Sequence, residues 1–175
     1  MKPSRPQLLA LAGMLSCTCA PALAEEVYVK LKGYEEVPAV STSASGSFAA
    51  KINWHDRTIV YRLKYSGLRG DVLQAHMHFG ARGTNGGVGV FLCQTDLQTD
   101  PAGLAPRCPQ SGQIRGVITA SNVIGPRAQG ISTGEFAELV DALRNGLVYV
   151  NVHTTRHEGG ELRGQINAPR NLVGH

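Results

Sequence analysis

Val72-Leu73-Gln74-Ala75-His76-Met77-His78-Phe79-Gly80 decides how this chain is read. Apolar side chains recur at every second position: Leu73, Ala75, Met77 and Phe79. Successive strand residues point to opposite faces, so the stretch predicts a half-buried β-strand. The other face carries Val72, Gln74, His76 and His78. Two histidines at i and i+2 project the same way, with Cα atoms about 7 Å apart. Imidazoles so placed lean toward one point, and a ligand from a second strand would close a metal site. Val148-Tyr149-Val150-Asn151-Val152-His153-Thr154 supplies the candidate. There Val148, Val150 and Val152 take the core face and leave His153 on the other. The plainer reading is that polar strand faces hold polar residues, histidine among them, and an i, i+2 pair also arises by chance.

The same alternation extends on both sides of this strand. Val27, Val29 and Leu31 read as a first strand ending at Gly33. Glu35 to Val40 reads as extended, because Pro38 offers no N–H to a ladder and restricts its predecessor. Phe48, Ala50, Ile52 and Trp54 share one face of a strand, and Ile59, Tyr61, Leu63 and Tyr65 share one face of the next. The polar turn His55-Asp56-Arg57 joins them as a hairpin, with His55 solvated at its tip. Ala81 to Gly87 is rich in glycine but lacks the lysine and following helix of a phosphate loop. Its glycines instead permit tight turning beside the histidine pair. Val88, Val90 and Leu92 form a strand ending at Cys93, and Gln113–Thr119 forms another.

One helix interrupts the strands. Ser132-Thr133-Gly134-Glu135 has the form of a capping box, Phe136, Leu139, Val140 and Leu143 recur at helical spacing, and Gly146 supplies the stop. Its apolar stripe packs on a sheet edge or closes one end of the β core. Downstream, Arg156 to Gly160 reads as a turn, with His157 solvated there, and Glu161–Ile166 as a last strand. Leu162 and Ile166 face the core, while Glu161, Arg163 and Gln165 face out. Asn171–His175 reads as a frayed tail.

The first residues read as a signal peptide over 1–24. Lys2 and Arg5 are its basic region, Leu8 to Leu15 its short apolar run, and Ala22-Leu23-Ala24 its cleavage site. About eight apolar residues are too few to span a bilayer, and no later stretch approaches the ~18 that spanning requires. A lipoprotein reading through Cys17 fits Met14-Leu15-Ser16 poorly. Cleavage leaves 151 residues (175 less 24), enough for one domain over 25–170. Losing Lys2 and Arg5 leaves 15 basic against 13 acidic residues, a net +2. With no basic run, that gives no ground for nucleic acid as a partner. Cys93 and Cys108 remain as an even pair in an exported protein, which predicts a disulfide. It closes a loop of about 15 residues, for which chain entropy gives roughly 3 kcal/mol. No Ser/His/Asp or Cys/His set and no paired carboxylates stand out, so no catalytic residues are assigned and no hydrolase activity is expected.

Three ordered motifs resemble the chordin-type (CHRD) domain family. They are Leu31-x-Gly33-x-x-Glu36-Val37-Pro38; Ala75-His76-x-His78-x-Gly80 with Asn85-Gly86; and Tyr149-Val150-Asn151-Val152-His153-Thr154 with Gly159-Gly160-Glu161-Leu162-Arg163-Gly164-Gln165. The likeness runs from about Val27 to Ala168. It implies an exported, β-rich domain and no settled biochemical activity. A weaker, local likeness is to the Cu,Zn superoxide dismutases. His76-Met77-His78-Phe79-Gly80 and Thr84-Asn85-Gly86 are similar to their copper-ligand strand and following loop. His153 matches a later copper ligand, and Arg163 an arginine near the open copper position. Residues 80 to 119 contain no histidine, so the bridging histidine and zinc ligands of those enzymes have no counterpart.

The resulting expectation is an all-β Greek-key sandwich or barrel, Ig-like or superoxide-dismutase-like, with one short helix. It is exported to the periplasm or secreted, and its partners are a metal ion and extracellular proteins, with no membrane after cleavage. One copper ion is held by His76, His78 and His153, with Asn151, Glu161 and Arg163 as neighbours that orient the ligands. Two alternatives stay open: a non-catalytic interaction module without metal, and a copper-only redox enzyme resembling superoxide dismutase.

Overall fold

The computed structural model describes residues 25–168, so the leader at 1–24 and the tail at 171–175 lie outside the described residues. Eight strands are formed: β1 (Glu25–Leu31), β2 (Ser45–Asn53), β3 (Thr58–Ser66), β4 (Val72–Phe79), β5 (Gly87–Cys93), β6 (Gly112–Ile118), β7 (Val148–Thr154) and β8 (His157–Ile166). They make two antiparallel sheets, ordered β1-β2-β3-β6 and β5-β4-β7-β8. After β3 the chain crosses to the second sheet, makes the β4–β5 hairpin, and returns as β6 beside β3. That is a Greek-key connection divided between two layers. The layers stay open, so the fold is a sandwich and not a closed barrel.

The alternation read in the sequence builds the core. Phe48, Ile59, Leu63 and Ile114 from one sheet meet Ala75, Met77, Val90, Val150, Val152 and Leu162 from the other, all buried. A Leu- or Phe-sized side chain so buried contributes roughly 1.5–3 kcal/mol. Tyr61 joins this core because its hydroxyl donates to Leu92 O at 2.7 Å, leaving no unpaired polar atom. At one edge Lys32 and Arg163 form an isolated antiparallel bridge that fastens the end of β1 to β8. At the other, the Cys93–Cys108 disulfide ties the end of β5 to the approach to β6.

The helix α1 (Phe136–Arg144) closes one end of the sandwich, burying Phe136, Leu139, Val140, Ala142 and Leu143. It begins later than the capping-box pattern suggests, because Gly134 takes φ 85°, which no right-handed helix admits. Only half of the box forms, with Ser132 N–H donating to the Glu135 carboxylate at 2.5 Å. Among the described residues, no helix is long and apolar enough to cross a membrane.

Two local expectations are corrected. Trp54 does not extend the buried face of β2. The strand stops at Asn53, whose carbonyl oxygen Oδ1 accepts from Asp56 N–H at 3.2 Å and curls the chain. Trp54 thereby sits in the turn, beneath the Arg144 guanidinium at 5.2 Å. The β7–β8 turn is also tighter than Arg156 to Gly160, since Thr154 already pairs with His157. The surplus residues are taken up as an irregularity between the Thr154–His157 and Val152–Leu162 pairs. Such a bulge re-aims local backbone groups, and here it matters for the site.

Candidate metal centre

The pairing of β4 with β7 sets Gln74 opposite His153, His76 opposite Asn151 and His78 opposite Tyr149. The three histidines therefore share the face of the second sheet that points away from the core. One ring nitrogen from each lies within 4.8 Å of the others, a grouping able to hold a metal ion. His76 Nδ1 and His153 Nε2 are 3.1 Å apart. Ligands about 2.0–2.1 Å from one ion stand roughly 2.9–3.4 Å from each other, so this spacing suits a shared cation.

Backbone carbonyls fix two of the rings. His78 Nδ1 is 2.9 Å from Gly86 O, and His153 Nδ1 is 2.7 Å from Glu158 O. A carbonyl only accepts, so each Nδ1 carries the proton and each Nε2 presents its lone pair. The β8 bulge delivers the Glu158 carbonyl. The Nε2 atoms of His76 and His78 are buried without any hydrogen-bond partner. The orphaned imine Nε2 of His78, in a ring anchored from behind, has the outer-sphere pattern of a metal-binding histidine. The donor set fits a metal.

These histidines are buried although they face away from the core: His76, His78 and His153 are 2%, 8% and 6% exposed. The 80–86 loop folds back over the sheet beside His78, and Phe91 packs edge-on against His76 with ring centroids 4.2 Å apart. A side chain at Gly86 would collide with the carbonyl of Phe79, so the close return of the loop onto β4 requires glycine there. Arg163 holds the loop from below, donating to Thr84 O at 2.6 Å and to Asn85 Oδ1 at 3.2 Å. Asn85 in turn donates to Val37 O at 3.0 Å.

Burial also sets the charge state. It pushes His78 down to about 4, opposed by the Gly86 carbonyl and reinforced by His153 and Arg163. His76 is held far below its ordinary range by burial and then by His153 and His78. Burial lowers His153 too, against the Glu158 carbonyl. All three are neutral at pH 7, the form that binds metal.

Of the expected neighbours, Asn151 places Oδ1 2.9 Å from His153 Nε2. Arg163 lies over Tyr149, its guanidinium carbon 3.4 Å from the ring centroid. Glu161 faces out but is fully buried, and its carboxylate bonds to Thr42, Thr154 and the Arg69 N–H, with no bond to a histidine. His157 stands outside the cluster, half-buried with Nε2 enclosed and unpaired, not solvated as the turn suggested. His55 is exposed at its hairpin tip, where Nδ1 meets Asp56 at 3.0 Å.

Two residues escaped the sequence reading. Tyr149 stacks on His78, with centroids 4.7 Å apart and planes 3° apart. Glu36 is buried with Oε1 unpaired, and burial raises it to about 7 against the pull of Arg163 and the Val37 N–H. Both lie within the motifs quoted for the family resemblance, the only signal that singled them out.

Fold and site define an all-β sandwich with a buried three-histidine cluster on the outer face of one sheet. The CHRD domain profile matches residues 27–166, and the chain belongs to the CHRD-domain family. No curated protein and no solved structure matches the chain.

Proposed function

We propose that this CHRD-domain protein is exported to the periplasm or secreted and there binds one copper ion through His76, His78 and His153. The observation that carries the reading is the convergence of three neutral imidazoles, two of them locked by backbone carbonyls with their lone pairs turned inward. Nitrogen donors suit copper, which outcompetes the other divalent first-row metals at such sites. The Cys93–Cys108 disulfide supports an oxidising compartment. When bound, copper would supply charge and redox capacity. The chain contributes the preset ring orientations, the 80–86 loop packed beside His78, and Arg163, whose guanidinium tethers that loop.

A second reading, an interaction module, draws on the outer face of the first sheet. Lys30, Lys51, Arg62, Lys64 and Arg115 are all exposed there, and Arg62 stands directly opposite Arg115. Calorimetric titration of metal-free protein with Cu(II) separates the two readings. The copper reading expects one ion per chain, and no binding would leave the module reading in its place.

A further inference from the structure

We infer that Asn151 is the fourth ligand of this centre, binding metal through its side-chain oxygen Oδ1; the inference rests on the copper reading above. The Glu158 carbonyl at 2.7 Å claims the Nδ1 proton of His153, so His153 Nε2 has only a lone pair to offer. Asn151 Oδ1 faces that lone pair at 2.9 Å. His76 Nδ1 faces it from another side at 3.1 Å. Asn151 is itself 2% exposed. Two buried acceptors this close repel unless a proton or a cation lies between them. Ligands about 2.0–2.2 Å from one ion are separated by roughly 2.8–3.4 Å, and both distances fall in that range. The β-ladder makes the placement a backbone property: Asn151 is directly opposite His76, and two residues before His153 on the same face of β7.

The consequence is a four-coordinate set of three nitrogens and one oxygen. An alternative orientation of the carboxamide, with its NH2 donating to His153 Nε2, would make Asn151 a competitor of the metal. The two arrangements predict opposite effects of removing the side chain.

The test uses the full chain loaded with Cu(II), alongside Asn151→Ala and the isosteric Asn151→Asp, which guards against a folding defect at this buried position. For a ligating oxygen, Asn151→Ala lowers copper affinity by roughly tenfold or more, within the range seen when metal-site partners are removed. Its electron paramagnetic resonance spectrum shifts while the three-imidazole nitrogen pattern persists. Asn151→Asp tightens binding. The inference is overturned if Asn151→Ala binds copper as tightly as the parent or tighter with an unchanged spectrum. In that case the copper reading stands. A parent chain that binds no copper removes both.

Discussion

Tyr149 and His78 lie face to face across neighbouring strands, centroids 4.7 Å apart and planes within 3°. On the next strand, Arg163 places its guanidinium against the same tyrosine ring. The middle strand of the three thus carries an aromatic plate between a candidate ligand and a buried cation. Aromatic stacking contributes about 0.5–1.5 kcal/mol beyond burial. Tyr149→Leu is therefore expected to weaken copper binding by roughly 3- to 10-fold through a looser His78. Tyr149→Phe, which keeps the stack, should stay within about twofold of the parent. Competition titration against a copper chelator measures both, and equal affinity in Tyr149→Leu would deny the plate any role.

The disulfide closes a span of 15 residues. Inside it the chain relies on local bonds, with Asp100 accepting from the N–H groups of Ala102, Leu104 and Ala105. Reduction should cost about 3 kcal/mol and lower the melting temperature, while Cys93 and Cys108 resist alkylation beforehand. Mass spectrometry of protein purified without reductant showing two free thiols would contradict this.

Acid should destabilise the metal-free protein through its histidines. Folded His78 is depressed from 6.5 to about 4, and His76 lies lower still. Below pH 6.5 the unfolded chain takes up protons that the folded one refuses, so stability present above pH 6.5 is lost as pH falls. His78 alone accounts for on the order of 3 kcal/mol between pH 6.5 and 4. Glu36 acts oppositely. Its folded carboxyl keeps a proton up to about 7 against an ordinary 4.5, so its contribution declines as pH rises across that window. Glu36→Gln should therefore gain stability relative to the parent at pH 8 and lose that advantage below pH 4.5. Denaturant melts at pH 4, 6 and 8 read both slopes, and parallel curves for parent and variant would rule out a buried neutral Glu36.

The strands were legible because period-two alternation needs only local sequence. Ala75 and Met77 on β4 and Val148, Val150 and Val152 on β7 fixed both core faces, and with them the shared face of His76, His78 and His153; at the start of β4 Val72 joins the core in place of Leu73, because the ladder to β7 shifts register between Val72 and Gln74. The packing of the loop beside that face was not legible. It depends on Arg163 reaching Thr84 and on Asn85 reaching Val37, bonds between residues 79 and 48 positions apart. No local period reports such contacts, so Glu161, Arg163 and Gln165 read as solvent-facing although all three are buried. Trp54 was misplaced for the opposite reason: its apolar spacing continued past the point where the Asn53–Asp56 turn ends the strand.

Binding of Cu(II) by His78→Ala beside the parent separates a three-histidine metal centre from a merely polar sheet face. His78 faces away from the core, so the variant should keep the parent's far-ultraviolet circular dichroism. The parent is expected to bind one Cu(II) per chain, with affinity falling as pH drops toward about 4, where His78 protonates. The variant should lose tight binding, and His157→Ala, outside the cluster, should retain it. A folded His78→Ala protein that binds copper as tightly as the parent would contradict the account.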